Sequence, residues 1–145
     1  MPKLTIVRGL PGSGKSTFAR ELSAKTGAML IEPDALLMQD GKYKYSQARY
    51  REAVKIMEEI LCKAVSFGAD VILADVFCTI AEVTRVRRDI EFTAGLSGIK
   101  YKIVIHDMPP ITFEESMKRN IHHVRQCDLK RMVREWEPWE KENER

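Results

Sequence analysis

The amino-acid sequence predicts an α/β fold in which a mainly parallel sheet of about four to five strands is flanked by helices. Short apolar runs rich in β-branched residues alternate along the chain with longer segments whose apolar residues recur at helical spacing. The short runs lack the polar alternation of a half-exposed sheet, which is typical of parallel strands covered on both faces. The length of 145 residues suits one domain spanning residues 1–145.

The amino-terminal half begins with a strand and a glycine-rich turn. Residues 4–7 are apolar and predict a buried strand. The spacing within residues 15–25 predicts a helix, which Gly27 ends. A short second strand is predicted at residues 28–31, and a long helix at residues 47–67, where apolar side chains repeat at three- and four-residue steps.

The carboxyl-terminal half continues the alternation. Residues 71–74 predict a buried strand, and the capping box at residues 79–82 opens a helix to about residue 93. A fourth strand is predicted at residues 99–105. The second capping box, at residues 112–115, opens a helix to about residue 123, and Asp128 is expected to cap a last helix.

Composition excludes several classes of protein. A net charge of +3 argues against a protein that coats nucleic acid over its whole surface, and 44% hydrophobic residues argue against disorder. No apolar run approaches the ~20 residues that span a bilayer, so no membrane association is expected. Cys62, Cys78 and Cys127 are an odd, widely spaced set, which predicts reduced thiols, no structural metal and a cytoplasmic location.

The glycine-rich turn carries the most specific motif. Residues 9–16 fit the pattern G-x-x-x-x-G-K-[ST], after a predicted strand and before a predicted helix. Glycines let successive backbone N–H groups surround a phosphate, Lys15 can reach the β- and γ-phosphates of ATP, and Ser16 can ligate Mg²⁺. The residues predicted to bind the nucleotide are Gly9, Leu10, Pro11, Gly12, Ser13, Gly14, Lys15, Ser16 and Thr17.

Two acids follow predicted strands and are expected in the crevice at the carboxyl edge of the sheet. Asp75 ends the strand at residues 71–74 and is the candidate acid near Mg²⁺; its alternative role is to cap the loop before Thr79. Asp34 follows the second strand and is the candidate that deprotonates an acceptor hydroxyl; its alternative role is turn chemistry in residues 32–34.

Positive charge is concentrated near the carboxyl terminus. Residues 118–134 hold six lysines and arginines against the single acid Asp128. The segment predicts a lid over ATP phosphates or a surface for an anionic acceptor, although any one of these residues can simply lie on a solvated helix face. His122 and His123 are adjacent and lack the spacing of metal ligands.

These residues resemble the P-loop kinases of the polynucleotide kinase type, which include the bacteriophage 5′-kinase. The similar segments are residues 8–17, the acidic turn at Asp34, residues 41–45 and residues 119–124. The resemblance implies a P-loop kinase core with a carboxyl-terminal helical lid. It also implies that Asp34 is the general base, that Asp75 is the strand-end acid and that Arg119 and Arg125 are lid cations.

The acceptor side departs from this family. The family usually has two adjacent acids at the acceptor site, whereas this chain has Pro33, Asp34 and Ala35. Leu37 stands where the phage enzyme has an arginine, and residues 76–78 stand where the family favours an Asn/Thr-rich turn. Tyr43 and Tyr45 lie where the family has its acceptor-side loop, and their rings could stack on a base or pack in the core or at its rim.

The resemblance favours an ATP- and Mg²⁺-dependent kinase with a nucleic acid as its acceptor partner, through a 5′-hydroxyl of DNA or RNA or a hydroxymethyl-pyrimidine in DNA. A small-molecule or nucleoside kinase is the alternative with the same chemistry. An ATP-dependent switch or ATPase without a transfer acceptor is a second alternative.

Overall fold

The computed structural model describes residues 1–39, 41–43, 46–119 and 124–140. Its helices and strands, in chain order, are β1 (Lys3–Arg8), α1 (Lys15–Thr26), β2 (Met29–Ile31), α2 (Pro33–Leu36), β3 (Met38–Gln39), β4 (Lys42–Tyr43), α3 (Gln47–Ser66), β5 (Val71–Asp75), α4 (Ile80–Leu96), β6 (Lys102–Asp107), α5 (Phe113–Lys118) and α6 (Gln126–Glu135).

Four strands form one parallel sheet in the order β2-β5-β1-β6. Because all four run the same way, their carboxyl ends lie along one edge, and Arg8 at the end of β1 is in register with Asp75 of β5 and Asp107 of β6. The predicted α/β fold with a parallel sheet is confirmed. The edge where the strands end holds the loops on which the candidate site residues lie.

The core is divided between the two faces of the sheet. On one face, Val7 and Ile72 pack with Ala19 of α1. On the other face, the larger cluster includes Leu4, Leu73 and residues of α3 and α4. Neighbouring residues of β1 and β5 are thus buried on opposite faces, and this is why both strands are apolar throughout.

The predicted helix boundaries agree where a local signal marks them. The Thr79 hydroxyl accepts a hydrogen bond from Glu82 N at 3.2 Å, and the Thr112 hydroxyl accepts one from Glu115 N at 3.1 Å, as the two capping boxes predict. Gly27 ends α1 in a left-handed conformation, with φ of 76°.

Three boundaries differ from the prediction. Helix α5 ends at Lys118 rather than near residue 123, and β6 spans Lys102–Asp107 rather than residues 99–105. Helix α6 begins at Gln126, so Asp128 lies in its first turn and does not cap it; the Asp128 carboxylate instead accepts a bond from Arg125 Nε at 3.0 Å. A carboxylate in the first turn stabilises the helix through its dipole.

The segment between β2 and α3 was not predicted in detail. It contains the four-residue α2 and an antiparallel hairpin of the two-residue strands β3 and β4, which are too short to show a period. For Tyr43 the structure describes the backbone alone, and Tyr45, His122 and His123 lie outside the described residues. No helix in the described ranges has the length and apolar character to cross a membrane.

Candidate active site

The glycine-rich loop connects β1 to α1 at the carboxyl edge of the sheet. Gly12 and Gly14 have left-handed backbone angles, with φ of 83° and 88°, which glycine adopts without strain. A side chain at Gly9 would collide with the Ser13 hydroxyl and would approach the Met108 side chain to 3.0 Å. The strand, loop and helix therefore have the arrangement that the phosphate-binding pattern requires.

Lys15 is the first residue of α1, and its side chain is buried. Among the described residues, no carboxylate forms an ion pair with its ammonium group. The first turn of α1 also contains no acidic residue. A buried cation at the positive end of a helix dipole, without a carboxylate partner, fits an anion that arrives from solution. Ser16 is half-buried and Thr17 is exposed beside it.

Asp75 ends β5 in a half-buried position, and its Oδ1 accepts a hydrogen bond from Val76 N at 2.8 Å. Burial raises the pKa of Asp75 from 3.8 to about 6; the Val76 hydrogen bond and the charge of Lys15 oppose this shift, and the charges of Asp34 and Glu82 add to it. The hydrogen bond from Val76 N agrees with the alternative role of Asp75 in the loop before Thr79. The side chain that caps α4, however, is that of Thr79. The fold thus brings Asp75 close to both Lys15 and Asp34.

Asp34 lies in the first turn of α2, half-buried, and its charge acts on Asp75. The two carboxylates are therefore close enough for their charges to interact. Leu37, which stands where the phage kinase has an arginine, is buried in the core, and Ala35 is exposed. Asp34 is the acid of α2.

The raised pKa of Asp75 predicts that its ionised carboxylate lowers the free energy of unfolding of the metal-free protein. An Asp75→Asn variant in EDTA at pH 8 should have a free energy of unfolding about 2 kcal/mol higher than wild type, because asparagine has no charge to bury. The folded-state pKa lies above the unfolded value, so wild type regains this stability as the pH falls from 7 to 4 and the difference disappears. Urea titrations at pH 8 and pH 4 measure it, with the exposed Asp89→Asn as control. An equal or lower stability of Asp75→Asn at pH 8 would contradict the burial of this charge.

Two buried side-chain oxygens have no hydrogen-bond partner, namely Ser13 Oγ in the glycine-rich loop and Glu32 Oε1 at the end of β2. Unsatisfied buried polar atoms are rare and are typical of sites that bind a ligand. Glu32 is buried two residues before Asp34, and its Oε2 is 3.8 Å from Arg20. These atoms fit a polar ligand at this edge.

The residues present also fit Mg²⁺, which prefers oxygen ligands and keeps several waters beside one or two carboxylates and substrate phosphates. Ser16 offers a hydroxyl and Asp75 offers a carboxylate. No group of three or more His, Cys, Asp or Glu residues gathers in the part of the chain that the structure describes. The sparse oxygen donors therefore suit a metal held mainly by phosphate and water.

Helix α5 packs directly on the glycine-rich loop. Ser116 is buried and donates a hydrogen bond from Oγ to Pro11 O at 2.6 Å. Arg119 Nη1 donates to Gly12 O at 3.3 Å, and a side chain on Gly12 would come within 2.9 Å of Arg119 Cβ. The structure thus brings Arg119 to the loop. Arg125 is exposed at the start of α6 and pairs with Asp128.

The turn after Asp75 contains a strained residue. Phe77 has a positive φ of 42°, a conformation that costs a bulky residue about 1 kcal/mol or more relative to glycine. Phe77→Ala and Phe77→Gly both remove the ring, but only glycine relieves the strain. The glycine variant should therefore be more stable than the alanine variant by about 1 kcal/mol in urea denaturation. An alanine variant as stable as the glycine variant would contradict the left-handed turn.

An apolar cavity lies away from the candidate site. It has a volume of about 330 Å³ between α3 and α4, and its lining includes Met57, Leu61, Ile90 and Phe92. Of the candidate residues, neither Lys15, Asp34 nor Asp75 contributes to it. Polar groups and charge, rather than a deep apolar cavity, mark the carboxyl edge of the sheet as the site.

Sequence reasoning missed Glu32 and Arg8. Glu32 was considered only as part of a turn, and Arg8 only as the end of a strand. At both positions a charged residue directly continues an apolar strand. This pattern could have identified the two residues, because such a charge becomes buried and needs a specific partner.

The comparisons with known proteins agree with this geometry. The family model of AAA domains known as AAA_33 matches residues 4–138. An uncharacterized protein of Pasteurella multocida is 31% identical over 98 residues, which cover 63% of this chain and 55% of that protein. A chain of the Pnkp1/Rnl/Hen1 RNA repair complex has a TM-score of 0.68 at 23% identity, covering 92% of this chain and 43% of that one. A gluconokinase from Sinorhizobium meliloti has a TM-score of 0.56 at 16% identity, covering 94% and 76%.

The chain spans about half the length of the Pasteurella protein, of which it covers 55%, and less than half of the repair-complex chain, of which it covers 43%. The solved structures share its fold. The family model covers nearly all of the strands, helices and loops that build the candidate site. The chain therefore belongs to the AAA_33 family of AAA domains.

Proposed function

We propose that the protein is an ATP- and Mg²⁺-dependent kinase that transfers the γ-phosphoryl group to a hydroxyl of a nucleic acid. The observation that carries phosphoryl transfer, rather than nucleotide binding alone, is that the charges of both Lys15 and Asp34 act on Asp75. One carboxylate near a phosphate-binding lysine can be a ligand of Mg²⁺. A second carboxylate in the same space supplies the base that an acceptor hydroxyl needs.

In this proposal each group has one task. The loop N–H groups and Lys15 hold the β- and γ-phosphates of ATP, and Ser16 and Asp75 hold Mg²⁺. When bound, the metal neutralises charge on the phosphate oxygens. Asp34 accepts the proton of the acceptor hydroxyl, whose oxygen forms a bond to the γ-phosphorus as the bond to the ADP oxygen breaks. Arg119, and Arg125 on the same lid, stabilise the charge that moves onto the transferred group.

Two observations support a nucleic-acid acceptor. Residues 118–134 hold six basic residues against one acid, and Arg119 joins this basic segment to the glycine-rich loop. A polyanion is attracted by such local positive charge. The fold of a chain in the Pnkp1/Rnl/Hen1 RNA repair complex is also similar. Both a 5′-hydroxyl and a hydroxymethyl group on a pyrimidine agree with the altered positions Ala35 and Leu37.

A small-molecule kinase is the second candidate, supported by the fold shared with the gluconokinase of Sinorhizobium meliloti. In that case the basic segment serves ATP alone. An ATPase or ATP-dependent switch without an acceptor is a third candidate, and it would need no base at Asp34.

The experiment incubates the protein with Mg²⁺, γ-labelled ATP and one acceptor at a time: 5′-hydroxyl DNA, 5′-hydroxyl RNA, DNA with hydroxymethyl-pyrimidines, nucleosides and gluconate. Label on a nucleic acid supports the proposal, and nuclease digestion then separates end labelling from base labelling. Label on a nucleoside or gluconate alone would favour the second candidate, and label in free phosphate alone the third.

A further inference from the structure

The side chain of Arg8, the residue immediately before the glycine-rich loop, makes a dense network of hydrogen bonds. It is fully buried. Nη1 donates to Asp107 Oδ1 at 3.0 Å and to Oδ2 at 3.2 Å. Nε and Nη2 donate to Phe77 O at 3.0 and 2.8 Å, and Nη2 also donates to Cys78 O at 3.2 Å and to Glu137 O at 2.8 Å.

Besides the end of β6 at Asp107, these bonds join three segments that are far apart in the chain. The first is β1 itself, which continues into the glycine-rich loop. The second is the turn after Asp75, where two bonds from Arg8 hold the carbonyl of the strained Phe77. The third is the C-terminal segment, residues 136–139, which follows α6; the ring of Trp136 lies 4.5 Å from the guanidinium carbon of Arg8.

Further bonds attach the C-terminal segment to the same place. Glu137 N donates to Cys78 O at 2.8 Å, and Trp139 N donates to Asp107 Oδ2 at 2.8 Å. Ile80 N, at the start of α4, donates to Glu137 Oε1 at 3.3 Å. The C-terminal segment therefore packs against the turn that follows Asp75 and depends on the ion pair of Arg8 with Asp107.

A contribution to protein stability is a weak explanation for the buried ion pair of Arg8 with Asp107. Replacing a buried ion pair by apolar residues of similar volume is often neutral or stabilising, because two charges must be taken out of water. A guanidinium, however, presents a rigid set of donors that fixes the direction of several acceptors at once, which neither an apolar side chain nor lysine can do.

We propose that Arg8 is a positioning residue, which holds the turn after Asp75 and the C-terminal segment at the end of β1, where the glycine-rich loop begins, and so fixes the carboxylate of Asp75 for the metal. This inference rests on the proposed function, in which Asp75 holds Mg²⁺. Groups that orient a metal ligand commonly affect metal affinity as strongly as some ligands do.

The test compares wild type with Arg8→Lys and with the control Arg87→Lys, which alters an exposed pair with Glu91 on α4. Mn²⁺ binding to the protein–ADP complex is measured by electron paramagnetic resonance, and ADP binding is measured in EDTA. In Arg8→Lys the Mn²⁺ dissociation constant should rise about tenfold, while the ADP constant in EDTA changes by less than about twofold. Arg87→Lys should match wild type in both.

Tryptophan fluorescence supplies a second readout, since both tryptophans of the chain, Trp136 and Trp139, lie in the C-terminal segment. The emission of Arg8→Lys should shift to longer wavelength and become more sensitive to acrylamide. If Arg8→Lys does not fold, Asp107→Asn, which weakens the anchor of Arg8 and of Trp139 N, should give the same selective loss of Mn²⁺ affinity.

Unchanged Mn²⁺ affinity in the variants, or an equal loss of Mn²⁺ and ADP affinity, would overturn the positioning role and leave a purely structural one. A wild-type protein that binds no ADP at all would instead contradict the proposed function, and with it the role of Asp75.

Discussion

Lys15→Ala is expected to lower ATP-dependent phosphoryl transfer by about a thousandfold. The lysine is buried at the first turn of α1, no carboxylate among the described residues pairs with it, and its charge acts on Asp75. Its ammonium is therefore available to the β- and γ-phosphates, and removing one such preorganised donor typically costs a factor of about 10²–10³. Initial rates with γ-labelled ATP measure the loss.

The matched control is Lys25→Ala, which removes an exposed lysine from the last turn of the same helix. It should keep the wild-type rate. The folded Lys15→Ala protein should be no less stable than wild type, because a buried charge has been removed. A Lys15→Ala variant with normal turnover would refute the role of the glycine-rich loop in catalysis.

Asp34→Ala should reduce transfer to the acceptor by a factor of about 10²–10⁴, the usual contribution of a general base. Binding of ATP with Mg²⁺ should stay within a few-fold of wild type, because Asp34 lies in α2, on the acceptor side of the predicted site. The slow hydrolysis of ATP without an acceptor should persist. Single-turnover transfer assays and equilibrium nucleotide binding separate these effects.

Glu114→Ala is the control, since it also removes an acid from the first turn of a short helix, at an exposed position. Unaltered transfer in Asp34→Ala would reject the assignment of the base and would favour an ATPase or switch. A loss of ATP binding together with transfer would contradict the separation of the acceptor side from the nucleotide side.

The sequence predicted those parts of the structure that short-range patterns determine. Strand β1, the glycine-rich loop and α1 follow from one continuous segment, and the capping boxes marked the starts of α4 and α5 within a residue. Asp34 and Asp75 could be expected near each other because parallel strands end at the same edge.

Contacts between distant segments could not be predicted in this way. The position of Arg8 depends on Asp107, on the turn at Phe77 and on residues 136–139, and no local period connects them. The supposed cap at Asp128 failed because Arg125 pairs with this carboxylate in the first turn of α6. Glu32 looked like an ordinary turn residue, since its burial against α1 depends on tertiary packing.

The most direct test of the proposed function is a competition in one tube. Wild-type protein and Mg²⁺ are given limiting γ-labelled ATP with equal concentrations of a 5′-hydroxyl oligonucleotide, an oligonucleotide with hydroxymethyl-pyrimidines, a nucleoside and gluconate. The fraction of label on each product is then measured, with Asp34→Ala in parallel. A nucleic-acid kinase puts the label on an oligonucleotide, and Asp34→Ala loses that product. Label on the nucleoside, on gluconate or in free phosphate, with both oligonucleotides unlabelled, would contradict a nucleic-acid acceptor.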